Sequence, residues 1–147
     1  MSKGTILVTG ASGFVGAQIV TLLLADGYSV RAVARGAKVD LIKNAFAGKA
    51  IEVVEIKDII KDDLTPFFSG VSAIIHSASP LAGRAPAAET ISATVDGALN
   101  VLASAVKAGI NKVVLTSSWA TVADRELPPP PPVRVCAQEC LVLKTIL

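Results

Sequence analysis

The chain has 147 residues, 52% of them hydrophobic and 18% charged, with a formal net charge of +2. At about 150 residues per domain this is the length of one domain, large enough to need neither disulfide nor metal staple. A mean hydropathy of +0.60 excludes an intrinsically disordered chain. The small charge, with only one Trp, one Tyr and four Phe, argues against a nucleic-acid partner.

Hydrophobic runs alternate with helical patterns from residue 5 to about residue 120. Thr5–Thr9 is an apolar run too brief for a helix and reads as the first strand. A helix follows over Phe14–Ala25, with Val15, Ile19, Leu22 and Leu23 expected on one face and Gly27 as its C-terminal cap. Ser29–Ala34 reads as strand two, Lys38–Ala47 as a short helix and Ile51–Ile56 as strand three. Leu64–Ser69 reads as a helical turn and Val71–Ile75 as a fourth strand. Ala87–Ala108 is the longest helix, with Ile91, Val95, Leu99, Leu102 and Val106 at helical spacing, and Lys112–Thr116 is strand five.

Such alternation implies βαβ units and an α/β fold: a doubly wound parallel sheet of strand order 3-2-1-4-5. Ligands of these sheets lie beyond the carboxyl ends of the strands, where every candidate residue named below falls. The order fails after Asp124. Pro128–Pro132 is an unbroken proline run that adopts an extended polyproline II form and cannot enter a sheet. Residues 1–124 are therefore read as one domain, and 125–147 as a proline-rich segment and apolar tail without a domain of its own.

Membrane and compartment are read from what is missing. No stretch of about 18 apolar residues exists, so no membrane association is expected. No signal-peptide core follows Met1. The cysteines, Cys136 and Cys140, lack neighbouring ligands for zinc and read as plain thiols of a cytoplasmic protein.

The glycine loop carries the chemistry. Gly10, Gly13 and Gly16, with Ser12, Phe14 and Val15 between them, lie between a strand and a helix. A tight turn against a diphosphate leaves no room for a Cβ, and the helix start offers free N–H groups and partial positive charge. The context therefore fits dinucleotide binding. Where an NAD site places an acidic residue after strand two, this chain has Arg35, followed by Lys38. The two could embrace a 2′-phosphate, which favours NADP(H) over NAD(H); the bland alternative is a solvated basic turn. The first acidic residue after that strand, Asp40, falls too late. Asp58 and Ile59 after strand three either reach the adenine edge or form an ordinary exposed loop. His76, closing strand four, reads better as a packed or hydrogen-bonded strand-end residue than as a catalytic one.

Together these segments resemble the extended short-chain dehydrogenase/reductases of the NAD-dependent epimerase/dehydratase type. Val8–Gly16, Ala34-Arg35 with Lys38, His76–Pro80, Val95–Leu102 and Val113–Ser118 carry the likeness, over roughly residues 4–123. They look most like the dihydroflavonol-reductase branch, with its cinnamoyl-CoA and aldehyde reductases. The resemblance implies a Rossmann sheet and assigns the loop glycines to the diphosphate. It assigns Arg35 and Lys38 to the 2′-phosphate, Asp58 and Ile59 to the adenine, and Ala78 and Ser79 to the nicotinamide side. It also assigns Thr116 and Ser117, which close strand five, to cofactor binding, and Ser118 matches the serine that orients the substrate carbonyl. The helix at 87–108 matches one that dimerises family members.

The same likeness implies a Tyr and a Lys four residues on, which are absent; the one tyrosine, Tyr28, precedes strand two. The substrate-binding part is absent too, so the chain reads as a truncated, alternatively spliced or frame-shifted product. The expected function is the NADP(H)-binding part of an oxidoreductase acting on a small aldehyde or ketone, inactive as it stands. The alternative is a non-catalytic dinucleotide-binding module, or a partner of a full-length relative.

Overall fold

Short β-branched runs between turn glycines become strands, and the computed structural model describes them within residues 2–81 and 83–118. The chain divides into two compact units, Met1–Leu115 and Thr116–Leu147. In the first, β1 (Thr5–Thr9), β2 (Ser29–Ala34), β3 (Ile51–Glu55), β4 (Val71–His76) and β5 (Val113–Leu115) form one parallel sheet. Its order is β3-β2-β1-β4-β5, as the sequence implies. The crossovers are α1 (Phe14–Ala25), α2 (Lys38–Ala45), a 3₁₀ turn (Thr65–Phe68) leading into β4, and α3 (Ala87–Lys107). Of the second unit only Thr116–Ser118 are described; all three are exposed and lie outside helix and strand. The proline run, the apolar tail and both cysteines fall outside the described residues.

Boundaries differ from the sequence reading by a residue or two. β4 runs on to His76, β3 stops at Glu55 and β5 loses one residue at each end. α2 ends at Ala45, because Phe46 leaves helical geometry (φ −116°, ψ 26°) before the turn at Gly48.

Strand alternation sends side chains into two cores. Ile6, Val8, Val30, Ala32 and Ala34 pack with Val20 of α1 and Ile42 of α2. Leu7, Val33 and Ile74 pack on the other face with Phe68, Val101 and Ala105 of the 3₁₀ turn and α3. Each fully buried Val, Leu, Ile or Phe among them contributes about 1.5–3 kcal/mol, so both faces must be covered for the sheet to hold.

Two helices present faces the pattern did not indicate. In α1 the buried residues are Gly16 and Val20, with Ile19, Leu23 and Leu24 packed beside them, whereas Val15 and Leu22 are exposed. The helix is apolar on almost every side, so spacing alone could not choose the face. In α3 the buried residues are Gly97, Val101, Ser104 and Ala105. The stripe of Ile91, Val95, Leu99 and Val106 lies 49–77% exposed, leaving only Leu102 half-buried.

On the sheet surface Arg31 crosses three elements. Its Nε donates to Glu52 at 2.7 Å and its Nη1 to the carbonyls of Phe67 and Ser69, tying β2 and β3 to the turn before β4. No helix among the described residues is long and apolar enough to cross a membrane.

Candidate functional site

Parallel register collects the strand ends on one edge: Thr9 lies opposite His76, Ala34 opposite Glu55, and His76 opposite Leu115. The loops after β1, β2, β3 and β4 therefore share that edge. Between β1 and β4 the chain's direction of travel across the sheet reverses, and the loops diverge to leave a crevice.

The β1 loop is built so that backbone can come close. Gly10 has φ +70°, and a Cβ there would stand 2.8 Å from the amide nitrogen of Ala78. A Cβ on Gly16 would collide with the carbonyl oxygen of Gly10. Gly13 donates to the Gly10 carbonyl at 2.9 Å, closing the turn, and serves as the N-cap of α1 in extended geometry. No side chain caps this helix and its first turn holds no acidic residue, so its leading N–H groups and positive end remain for an anion. Phe14 is 85% exposed and Val15 54%, so the part these positions can play is through their amides. Ser12 is half-buried in the turn itself. A diphosphate cradle needs this combination of missing Cβ atoms and open amides, and the residues present fit it.

The exit of β4 is pinned to that loop. Thr9 Oγ1 and His76 Nδ1 share a buried hydrogen bond of 2.7 Å, Ser77 Oγ donates to the Thr9 carbonyl at 2.7 Å, and the Ala78 N–H donates to Thr9 Oγ1 at 3.2 Å. His76 is the hydrogen-bonded strand-end residue expected of it, and burial holds its pKa below the ordinary 6.5, favouring neutral imidazole. Ala78 is half-buried, and Ser79 is exposed beside it.

Arg35, directly after β2, and Lys38, the first residue of α2, are both exposed, and the ion pair found among the described residues, Arg31–Glu52, involves neither. Asp40 lies inside the first turn of α2. One acidic group does reach this turn: Glu55, at the end of β3, accepts the Gly36 N–H through Oε1 at 2.9 Å. Reading one strand at a time misses it, because only the register between β2 and β3 brings it there.

Asp58 is half-buried, and its carboxylate shapes its own loop by accepting the Ile60 N–H at 2.9 Å. That loop rests on α3. Asn100 Nδ2 donates to the carbonyls of Ile59 at 2.9 Å and Asp62 at 3.0 Å, and Gly97 leaves room for Ile59 and Ile60. Asn100 and Gly97 had one sequence signal, their place in the Val95–Leu102 segment that carries the family likeness. Tyr28 lies between α1 and β2, at the opposite edge of the sheet, with the Lys3 ammonium 5.5 Å from its ring centre. Thr116, Ser117 and Ser118 belong to the second unit, and the glycine cradle is formed by first-unit residues alone. No cluster of metal-binding side chains occurs among the described residues.

Residues 6–137 match the model of the NAD dependent epimerase/dehydratase family. The chain belongs to that family. The match continues past residue 123, where recognisable motifs end, and takes in the proline run. Dihydroflavonol 4-reductase of Zea mays is 36% identical over 135 residues, covering 82% of this chain and 36% of the relative. Cinnamoyl-CoA reductase CAD2 of Medicago truncatula is 36% identical over 138 residues, covering 88% and 42%. The solved structure of yeast methylglyoxal/isovaleraldehyde reductase Gre2, a complex with NADPH, superposes with a TM-score of 0.71 at 30% identity. That superposition covers 79% of this chain and 37% of Gre2. This epimerase/dehydratase family member thus spans about two fifths of the length of the curated relatives it matches. Its parallel sheet is the Rossmann part of a fold that serves nicotinamide dinucleotides, and the cradle around Gly10 fits that cofactor class.

Proposed function

We propose that this chain is the NADP(H)-binding part of a reductase acting on an aldehyde or ketone. The observation that carries the reading is the pair of exposed cations, Arg35 after β2 and Lys38 at the start of α2, beyond the strand neighbouring the one that leads into the glycine cradle. Bound NADPH supplies a hydride for carbonyl reduction. The chain's own residues divide the work of holding it. The amides after Gly13 face the diphosphate, Arg35 and Lys38 the 2′-phosphate, the Asp58–Ile59 loop the adenine, and the Ala78–Ser79 backbone the nicotinamide side. Ser118 is the residue for orienting a carbonyl.

Proton delivery is another matter. The only tyrosine in the 147 residues is Tyr28, at the wrong edge of the sheet. Loss of a general acid typically costs about 10²–10⁴-fold in rate. These 147 residues by themselves are therefore a binder and not a catalyst. Titration of the chain with NADPH and NADH, followed by nicotinamide fluorescence, tests the binding half. Arg35→Ala is expected to weaken NADPH about 10- to 100-fold, the range for a charge-assisted contact, and to leave NADH nearly unchanged. Equal affinity of the unmodified chain for both dinucleotides sinks the NADP(H) preference. NADPH oxidation with small aldehydes, abolished in Ser118→Ala, overturns the inactive reading.

The exposed stripe of α3 is the surface for association with a second copy of the chain. Ile91, Val95, Leu99 and Val106 give it an exposed apolar stripe along one side of the helix, the kind of surface that favours association. Sedimentation should give twice the 15.0 kDa chain mass, and Leu99→Glu should return it to one. A monomer at every concentration removes the proposal.

A further inference from the structure

We infer that Glu55 sets how strongly the site discriminates between NADP(H) and NAD(H), an inference that rests on the dinucleotide reading above. In sheets of this kind an acidic residue at the end of the second strand takes the ribose hydroxyls of NAD(H). Here that position is Arg35, yet the register delivers a carboxylate to the same turn from the neighbouring strand. Ala34 pairs with Glu55, and Glu55 Oε1 holds the N–H of Gly36 at 2.9 Å. Gly36 turns the chain with φ +54° and has nothing within 4 Å of where a Cβ would be, so the turn is open to a ligand.

The carboxylate is bonded to backbone and forms no ion pair with Arg35, one residue from the amide it holds. Cation and anion are therefore presented side by side. A 2′-phosphate meets two positive charges and one negative, and the negative one opposes it. A ribose diol meets an anionic acceptor that the loop after β2 does not itself supply before Asp40. Glu55 thus narrows a preference that Arg35 and Lys38 establish, and gives NAD(H) a foothold in the same site.

Glu55→Gln isolates the charge, because the amide oxygen can still accept the Gly36 N–H and the position is exposed. The test is titration of the full chain with NADPH and with NADH, at low and high salt, beside a thermal melt of each variant. For like charges several ångströms apart in water, removing one is expected to tighten NADPH about three- to tenfold. NADH should weaken about twofold or more as its anionic acceptor is lost. The change in the NADPH-to-NADH ratio should shrink at high salt, which a merely structural role would not produce. A variant that shifts both dinucleotides in the same direction, or neither, overturns the role of Glu55 while leaving the dinucleotide reading standing. Failure of the unmodified chain to bind either dinucleotide overturns both.

Discussion

Replacing Gly10 by alanine is expected to abolish dinucleotide binding and to destabilise the fold by about 2–4 kcal/mol, whereas Gly27→Ala costs about 1–2 kcal/mol and leaves binding intact. Both glycines are left-handed, at φ +70° and +85°, so the conformational cost of a side chain is common to the two. They differ in their surroundings. Nothing lies within 4 Å of a Cβ on Gly27, but one on Gly10 meets the Ala78 nitrogen and the Ser77 carbonyl carbon at 2.8 Å. Those atoms are backbone, and they are held to Thr9 by the Ser77 hydroxyl and the Ala78 amide. They cannot move aside without breaking the bonds that join β1 to β4. Urea midpoints for the two variants, with NADPH titrations beside them, check this. Equal losses in both variants would mean that the close approach at Gly10 carries no weight.

The second large effect is expected at Asn100. Asn100→Leu removes two donors from the half-buried loop between β3 and the 3₁₀ turn, leaving the carbonyls of Ile59 and Asp62 without them. Each such loss is worth about 1–3 kcal/mol when water cannot replace the donor. A net destabilisation of about 2–3 kcal/mol is the expected sum, since solvent reaches part of this loop. Asn100→Asp should be at least as harmful despite its near-identical shape, because an ionised carboxylate has no hydrogen to donate. Binding should fail selectively: adenosine 2′,5′-bisphosphate loses affinity along with NADPH, because Asp58 and Ile59 are displaced. Calorimetric titration with that fragment decides the point. Unchanged affinity in a folded Asn100→Leu chain would remove the adenine-side role of the loop.

Much of this architecture is legible in the sequence, for local reasons. Strands such as Thr5–Thr9 and Ser29–Ala34 are short apolar runs cut off by turn residues, and their order follows from how βαβ units wind. Which face a helix buries is less legible. α1 is apolar on nearly all sides, so its period carries no phase, and Gly16 is the better marker because close approach requires it. α3 inverts the usual rule. Ile91, Val95, Leu99 and Val106 face outward, while Gly97, Ser104 and Ala105, with Val101 as the buried aliphatic, let the helix lie against the sheet and the Asp58 loop. In the proposed site, the glycines announce themselves within one short segment, and Arg35 with Lys38 within another further along the chain. Glu55 and the Thr9–His76 pair do not, since each acquires its meaning from a strand distant in sequence.

That distance has a consequence for how the molecule comes together. β1, α1, β2, α2 and β3 follow one another along the chain, and β2 joins β3 by an ion pair only 21 residues apart, so this half of the sheet closes from near neighbours. The hydrogen bond between Thr9 and His76 spans 67 residues, and contacts of that reach form late because the intervening chain must first be gathered in. The cradle around Gly10 has one wall from β1 and one from β4, so it exists only once those two strands are paired. A ligand seated there recognises the finished sheet and not its precursors. At a hundred times its dissociation constant such a ligand adds about 2.7 kcal/mol to the stability of the whole. A dinucleotide bound there would then act as a clasp on the joint between β1 and β4.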